Sequence, residues 1–302
     1  MKHRRARSAA ADASSSIASR RRKRPIIVFT HANGFPAGTY RVLFDDWRAA
    51  GCRVEAIERF GHDPAYPVTS NWPYLRDQLI DFVAVIGEPV FLVGHSMGGY
   101  LSLLAASRRP DLARGVVLLD SPIVAGWRAH SLQVAKATGL IARVSPGRVS
   151  RQRRHEWPSR KAVVDHFSPK AAFARWDPRV LGHYVASGTR REGDAVVLAF
   201  EREVETRIYN TLPHNLATVL KRHPPQCAIA YVGGTQSAEG RRAGLAATRA
   251  VTRGRVVWIE GSHLFPMERP DETANVVLQC LEIGAARSIR RTRADRRQRA
   301  PI

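Results

Sequence analysis

The chain has 302 residues, 44% of them hydrophobic and 25% charged, and 48 Lys+Arg against 26 Asp+Glu give it a formal net charge of +22. This is the composition of a globular chain long enough for one large α/β core, and it excludes a collagen-like or wholly disordered polymer. No run of about 18 apolar residues occurs, so no transmembrane helix is expected. The first 24 residues carry nine basic side chains against Asp12 and lack apolar periodicity. They read as a disordered basic tail without the apolar region of a secretory signal. Pro25 to Thr30 is a short apolar strand, ending in the turn-rich loop His31-Ala32-Asn33-Gly34-Phe35-Pro36. Residues 40–50 have the pattern of a helix, and Arg53 to Ile57 that of a second strand. Leu75, Leu79, Phe82, Val83 and Ile86 fall at helical spacing, which predicts a helix over 73–86.

The next segment is the most informative. The apolar run Pro89 to Val93 leads into Gly94-His95-Ser96-Met97-Gly98, and Gly99 to Ala106 reads as a buried helix. Strand, five-residue turn and helix are the setting of a nucleophile elbow, in which a strained backbone raises the serine hydroxyl above a sheet. Gly115 to Leu119 is another strand, ending at Asp120-Ser121-Pro122. Strands and helices alternate to this point, so the sheet is expected to be mostly parallel and covered on both faces.

Alternation breaks over 123–222, where amphipathic pieces carry Trp127, Trp157, Phe167, Trp176, Tyr184 and Tyr209. This reads as a helical insertion. It resumes with Cys227 to Val232, a helix over 238–252, the strand Val256 to Ile259 and Gly261-Ser262-His263. A last helix over about 271–283 is capped by Asp271. Residues 287–302 form a second basic tail, with seven arginines against Asp295. The expected division is therefore a core of 25–122 and 223–286, an insertion of 123–222, and tails 1–24 and 287–302. The tails invite contact with nucleic acid or an anionic membrane surface, or are simply solvated sequence. Cys52, Cys227 and Cys280 are too few and scattered for a disulfide framework, which points to a reducing, cytoplasmic setting.

A serine hydroxyl needs a base within reach, and the base needs an orienting acid. His263 follows the last strand, so it can reach the sheet edge that carries Ser96. Two positions compete for the acid. Asp120 ends the strand after the elbow helix. In the loop after the strand at 227–232, Ser237 stands where an aspartate would be sought, and Glu239 lies two residues on. Two N–H groups are needed for an oxyanion, and Met97 and Asn33 are the candidates. No His, Cys and carboxylate residues fall at metal-ligand spacing, so neither a metal nor an organic cofactor is implied.

These motifs resemble the α/β-hydrolase superfamily over residues 25–284. His31-Ala32-Asn33 takes the place of its His-Gly-x oxyanion loop, Phe60-Gly61-His62 lies near its glycine-histidine loop, and the elbow and Gly261-Ser262-His263 match directly. The chain is most similar to the lid-bearing branch of small esterases, haloalkane dehalogenases and epoxide hydrolases. The last two use an aspartate nucleophile, and with Ser96 in that position the resemblance implies acyl transfer to serine. It departs from the family in Ala32 and in the absent aspartate after 227–232. The second departure resembles members that place the acid one strand earlier, which favours Asp120. A small-molecule acyl substrate follows, with 123–222 as a lid whose Trp127, Phe167 and Trp176 either line the pocket or hold the lid together. The competing reading is a basic binding protein with a vestigial hydrolase fold.

Overall fold

The computed structural model describes residues 24–282; apart from Arg24, the two basic tails lie outside them. Six strands form the main sheet: β1 (Ile26–Thr30), β2 (Arg53–Ala56), β3 (Val90–His95), β4 (Ala113–Leu119), β8 (Ala228–Gly234) and β9 (Val256–Ile259). Their order is β2-β1-β3-β4-β8-β9, and every neighbouring pair is parallel. Side chains alternate between the two faces. Val28, Leu92, Val116, Leu118 and Tyr231 enter one core, while Phe29, Val93, Val117, Leu119 and Val232 enter the other. Both faces are covered, which is why these strands read as continuous apolar runs.

The helix Pro73–Ile86 buries Leu75, Leu79 and Val83, one turn apart, against the first core. Pro73 starts it, and Gly87 in the left-handed region (φ 76) stops it. The elbow helix Met97–Arg108 is buried nearly all round. On the opposite face, Arg41–Ala49 packs Val42, Leu43, Phe44 and Trp47, and the Trp47 indole donates to the Ala274 carbonyl at 3.1 Å.

Close approach of strand and helix depends on two glycines. A Cβ on Gly94 would lie 2.3 Å from the Gly98 carbonyl group, and one on Gly98 would lie 1.9 Å from the Thr30 oxygen. Because those neighbours are backbone, they cannot swing aside. Gly98→Ala is therefore expected to cost about 3 kcal/mol, the upper end of overpacking, read as a lower urea midpoint.

Between β4 and β8 the chain builds the insertion. It is not wholly helical: β5 (Glu156–Trp157), β6 (Thr189–Glu192) and β7 (Ala195–Leu198) form an antiparallel sheet of order β5-β7-β6. β5 and β6 are short and largely polar, with Arg190, Arg191 and Glu192 exposed, and only β7 is an apolar run, four residues long. Two further expectations are corrected. The segment 238–252 is two helices, Ala238–Ala243 and Ala246–Thr252, parted at Gly244 with φ 75. The last helix spans Pro270–Cys280 with Arg269, not Asp271, at its N-cap. Asp271 instead pairs with Arg179 at 2.7 Å. Among the described residues, no helix is long and apolar enough to cross a membrane.

Candidate active site

Because the strands are parallel, the loops after β1, β3, β4, β8 and β9 gather at one edge of the sheet. Ser96 follows β3 with φ 53 and ψ −113, a strained conformation for a residue with a Cβ. Its N–H donates to the Leu119 carbonyl at 2.9 Å, and the Ser121 hydroxyl donates to its carbonyl at 2.8 Å. The elbow is thus tied to the end of β4.

Asp120 follows β4, also with positive φ (42), and is fully buried. Four donors converge on its carboxylate. His263 Nδ1 lies 2.6 Å and the Ser237 hydroxyl 2.5 Å from Oδ2; the Gly234 N–H (3.1 Å) and Tyr231 hydroxyl (3.2 Å) reach Oδ1. Ser237, unable to act as the acid, hydrogen-bonds the residue that can. Burial would raise the Asp120 pKa, but the His263 hydrogen bond and charge, with Ser237 and Gly234, outweigh it and hold the carboxyl below its usual range.

With Nδ1–H given to Asp120, His263 has its Nε2 lone pair free to accept a proton. Burial alone would lower its pKa. The Asp120 hydrogen bond and charge, with a smaller contribution from Glu239, leave it raised instead. Glu239 stands farther off, 4.0 Å from Nδ1, and its side chain is 46% exposed. The geometry brings His263 to Asp120 rather than to Glu239.

A chain of hydrogen bonds joins three of these loops. His95 Nε2 donates to the His263 carbonyl at 2.9 Å, the Tyr40 hydroxyl donates to His95 Nδ1 at 2.7 Å, and the Ala32 N–H donates to Tyr40 Oη at 3.2 Å. Burial pushes His95 down to about 3, so it stays neutral and keeps that pattern at working pH. His31, likewise pushed down to about 4 by burial, donates to the Ala32 carbonyl and accepts from the Phe60 N–H. Sequence reasoning found these histidines beside the motifs but not their joint role.

Ala32, Asn33, Phe35, Ser96, Tyr209, Glu239 and His263 line one cavity of about 380 Å³, with Gln236, Ala238, Ser262 and Leu264. No Ser96–His263 hydrogen bond is formed among the described residues; such bonds commonly tighten only around substrate. Met97 opens the elbow helix, so its N–H has no intrahelical acceptor. Asn33 is buried, and its amide donates to the Glu205 carbonyl at 2.9 Å.

The three aromatic residues expected at the pocket are not among its lining residues. Trp127 is 70% exposed under the Arg128 guanidinium. Phe167 and Trp176 pack with Phe173 and Tyr184 in an aromatic cluster of the insertion. Phe35 and Tyr209 line the cavity instead. The position of Phe35 in the turn-rich loop after β1 is a usable signal in the sequence, while Tyr209 offers none. Folding also brings one potential ligand atom each from Asp120, Glu239 and His263 within 4.8 Å of one another, although their sequence spacing shows no such cluster.

Comparison with known proteins bears on the fold and the family. A monoglyceride lipase homolog of Monkeypox virus is 29% identical over 166 residues, covering 49% of this chain and 60% of that protein. The monoglyceride lipase of Rattus norvegicus is 30% identical over 129 residues, covering 40% of this chain and 43% of its own. The chain thus matches less than two thirds of the length of either relative. The solved structure of E-2-(acetamidomethylene)succinate hydrolase superposes with a TM-score of 0.66 at 20% identity, over 85% of this chain and 91% of that one, a likeness of fold. The model of the alpha/beta hydrolase family matches residues 27–276, and the chain belongs to that family.

Proposed function

We propose that this protein is a serine hydrolase of carboxylic esters. The observation that carries the reading is the His263–Asp120 hydrogen bond of 2.6 Å beside a strained Ser96 that shares a cavity with His263. The Ser96 hydroxyl attacks the ester carbonyl carbon as its proton passes to His263 Nε2. The negative oxygen of the tetrahedral intermediate takes hydrogen bonds from the Met97 and Asn33 N–H groups. Collapse expels the alcohol, protonated by His263, and leaves Ser96 acylated. Water then repeats the sequence and releases the acid. Asp120 holds the imidazole and stabilises its charged form. Relatives named monoglyceride lipases support an acyl ester as the substrate class. The segment 123–222 is the lid over a core of 25–122 and 223–286, and the free cysteines suit a reducing, cytoplasmic setting. A binding protein with an idle hydrolase fold is the poorer reading, because the acid–histidine pair is intact.

Labelling by a fluorophosphonate, with hydrolysis of a series of acyl esters, tests the reading. Its pH dependence has a definite sign. Only neutral His263 accepts the proton, and its pKa lies above the ordinary histidine value. Labelling and kcat/KM should therefore be flat on the alkaline side and fall about tenfold per pH unit below that pKa. No labelling at any pH, or labelling away from Ser96, removes the proposal.

A further inference from the structure

The charge between the two tails is unevenly placed. Residues 121–155 carry seven Lys and Arg and residues 240–259 carry five, with no Asp or Glu in either stretch. Elsewhere in 25–286, 24 acidic side chains outnumber 20 basic ones. The excess of positive charge is therefore confined to two stretches, and folding brings them side by side. The Ile123 N–H donates to the Thr248 hydroxyl at 2.9 Å, and Arg128 Nη1 lies 3.5 Å from where a Cβ on Gly244 would be. The helix Ala238–Ala243 begins with Ala238 and Glu239, which line the active-site cavity, and then exposes Arg241 and Arg242 before it reaches Gly244. The basic surface thus borders the cavity.

Apolar groups stand beside these charges. The helix Trp127–Ala137 buries no residue. Trp127 and Val134, two turns apart on one side of it, are exposed, and so is Leu140 in the turn that follows. The Arg128 guanidinium lies over the Trp127 ring, 4.8 Å from its centre. A helix with apolar side chains outward, basic groups beside them and nothing buried suits the surface of an anionic bilayer. There tryptophan and aliphatic side chains enter the headgroup boundary while arginine meets lipid phosphates. A nucleic acid would use the same charges but not the same apolar groups. Val134 and Leu140 have no aromatic face on which a base can stack, and one face of Trp127 is taken by Arg128.

We propose that the helix Trp127–Ala137, with Leu140, Arg128, Arg241 and Arg242, docks on an anionic lipid bilayer and holds the cavity close to the membrane surface. The docking goes beyond the ester-hydrolase reading and does not depend on it, because its test reads binding rather than turnover.

The full-length protein is mixed with vesicles of phosphatidylcholine alone, or of equal parts phosphatidylcholine and phosphatidylserine, with plain or brominated acyl chains. On the anionic vesicles its tryptophan emission should move to shorter wavelength and be quenched by bromine; on phosphatidylcholine alone neither should occur. Trp127→Phe should lose most of both responses. Replacing Arg128, Arg241 and Arg242 together by Gln should weaken partitioning at least tenfold, since each arginine near an anionic surface contributes about fivefold. None of the replaced side chains is buried, so the variants should fold with urea midpoints near that of the wild type. Binding through the basic tails alone would leave Trp127 in water. Vesicle binding without an emission change that depends on Trp127, binding that the triple variant keeps in full, or no binding to either vesicle overturns the proposal. So does capture by single-stranded RNA without a response to vesicles, which would make this face a nucleic-acid surface. Fluorophosphonate labelling, run alongside, decides the hydrolase reading separately.

Discussion

Replacing Ser96 by alanine should leave a folded protein whose ester turnover is lower on the order of a millionfold and which takes up no fluorophosphonate. In the proposed mechanism the hydroxyl oxygen forms the acyl bond, which is why the expected loss is large. The fold should survive. The strained backbone at φ 53 is no harder for alanine than for serine, and the bonds that tie the elbow to β4 are made by backbone groups and by Ser121. A circular dichroism spectrum and urea midpoint near those of the wild type, together with absent labelling, would bear this out. Labelling retained in a folded variant would place the nucleophile elsewhere.

The second large effect concerns the acid. Asp120→Asn should lower kcat on the order of ten-thousandfold, since a neutral amide neither stabilises the imidazolium nor enforces the tautomer with Nδ1–H. It also turns an acceptor of four hydrogen bonds into a group that brings its own N–H donors to the Ser237 hydroxyl and His263 Nδ1. Glu239→Gln should stay within about threefold, because a half-exposed carboxylate at 4.0 Å is largely screened by water. Its signature lies in the pH profile. Glu239 helps to raise the His263 pKa, so the acidic limb should move to lower pH. If Glu239→Gln proves the crippled variant and Asp120→Asn is nearly normal, the two carboxylates have exchanged roles.

Much of this site is legible in the chain because it sits where strands end. Apolar runs buried on both faces mark β1, β3, β4 and β8 to within one or two residues, and the residues just past them are Ser96, Asp120 and the 31–36 loop. The choice between Asp120 and Glu239 is not legible in the same way. It depends on a backbone turn at Asp120 and on donors from Ser237, Gly234 and Tyr231, more than a hundred positions away. The insertion is less legible still. Its strands are two to four residues long and partly exposed, and its aromatic residues carry the same pattern whether they line a pocket or pack on one another. Phe167 and Trp176 do the latter.

Asp120 and Gly234 are 114 positions apart, and Asp120 and His263 are 143 apart. β4 and β8, which pair directly, can find each other only after the whole intervening insertion has been drawn into a closed loop. The entropy of that closure grows slowly with length but must be met before any contact rewards it. The nucleophile turn, by contrast, is assembled from β3, the following helix and β1, all early in the chain. The turn at Ser96 thus rests on contacts between neighbouring stretches of chain, while the carboxylate of Asp120 is held by partners that lie on the far side of the insertion in sequence.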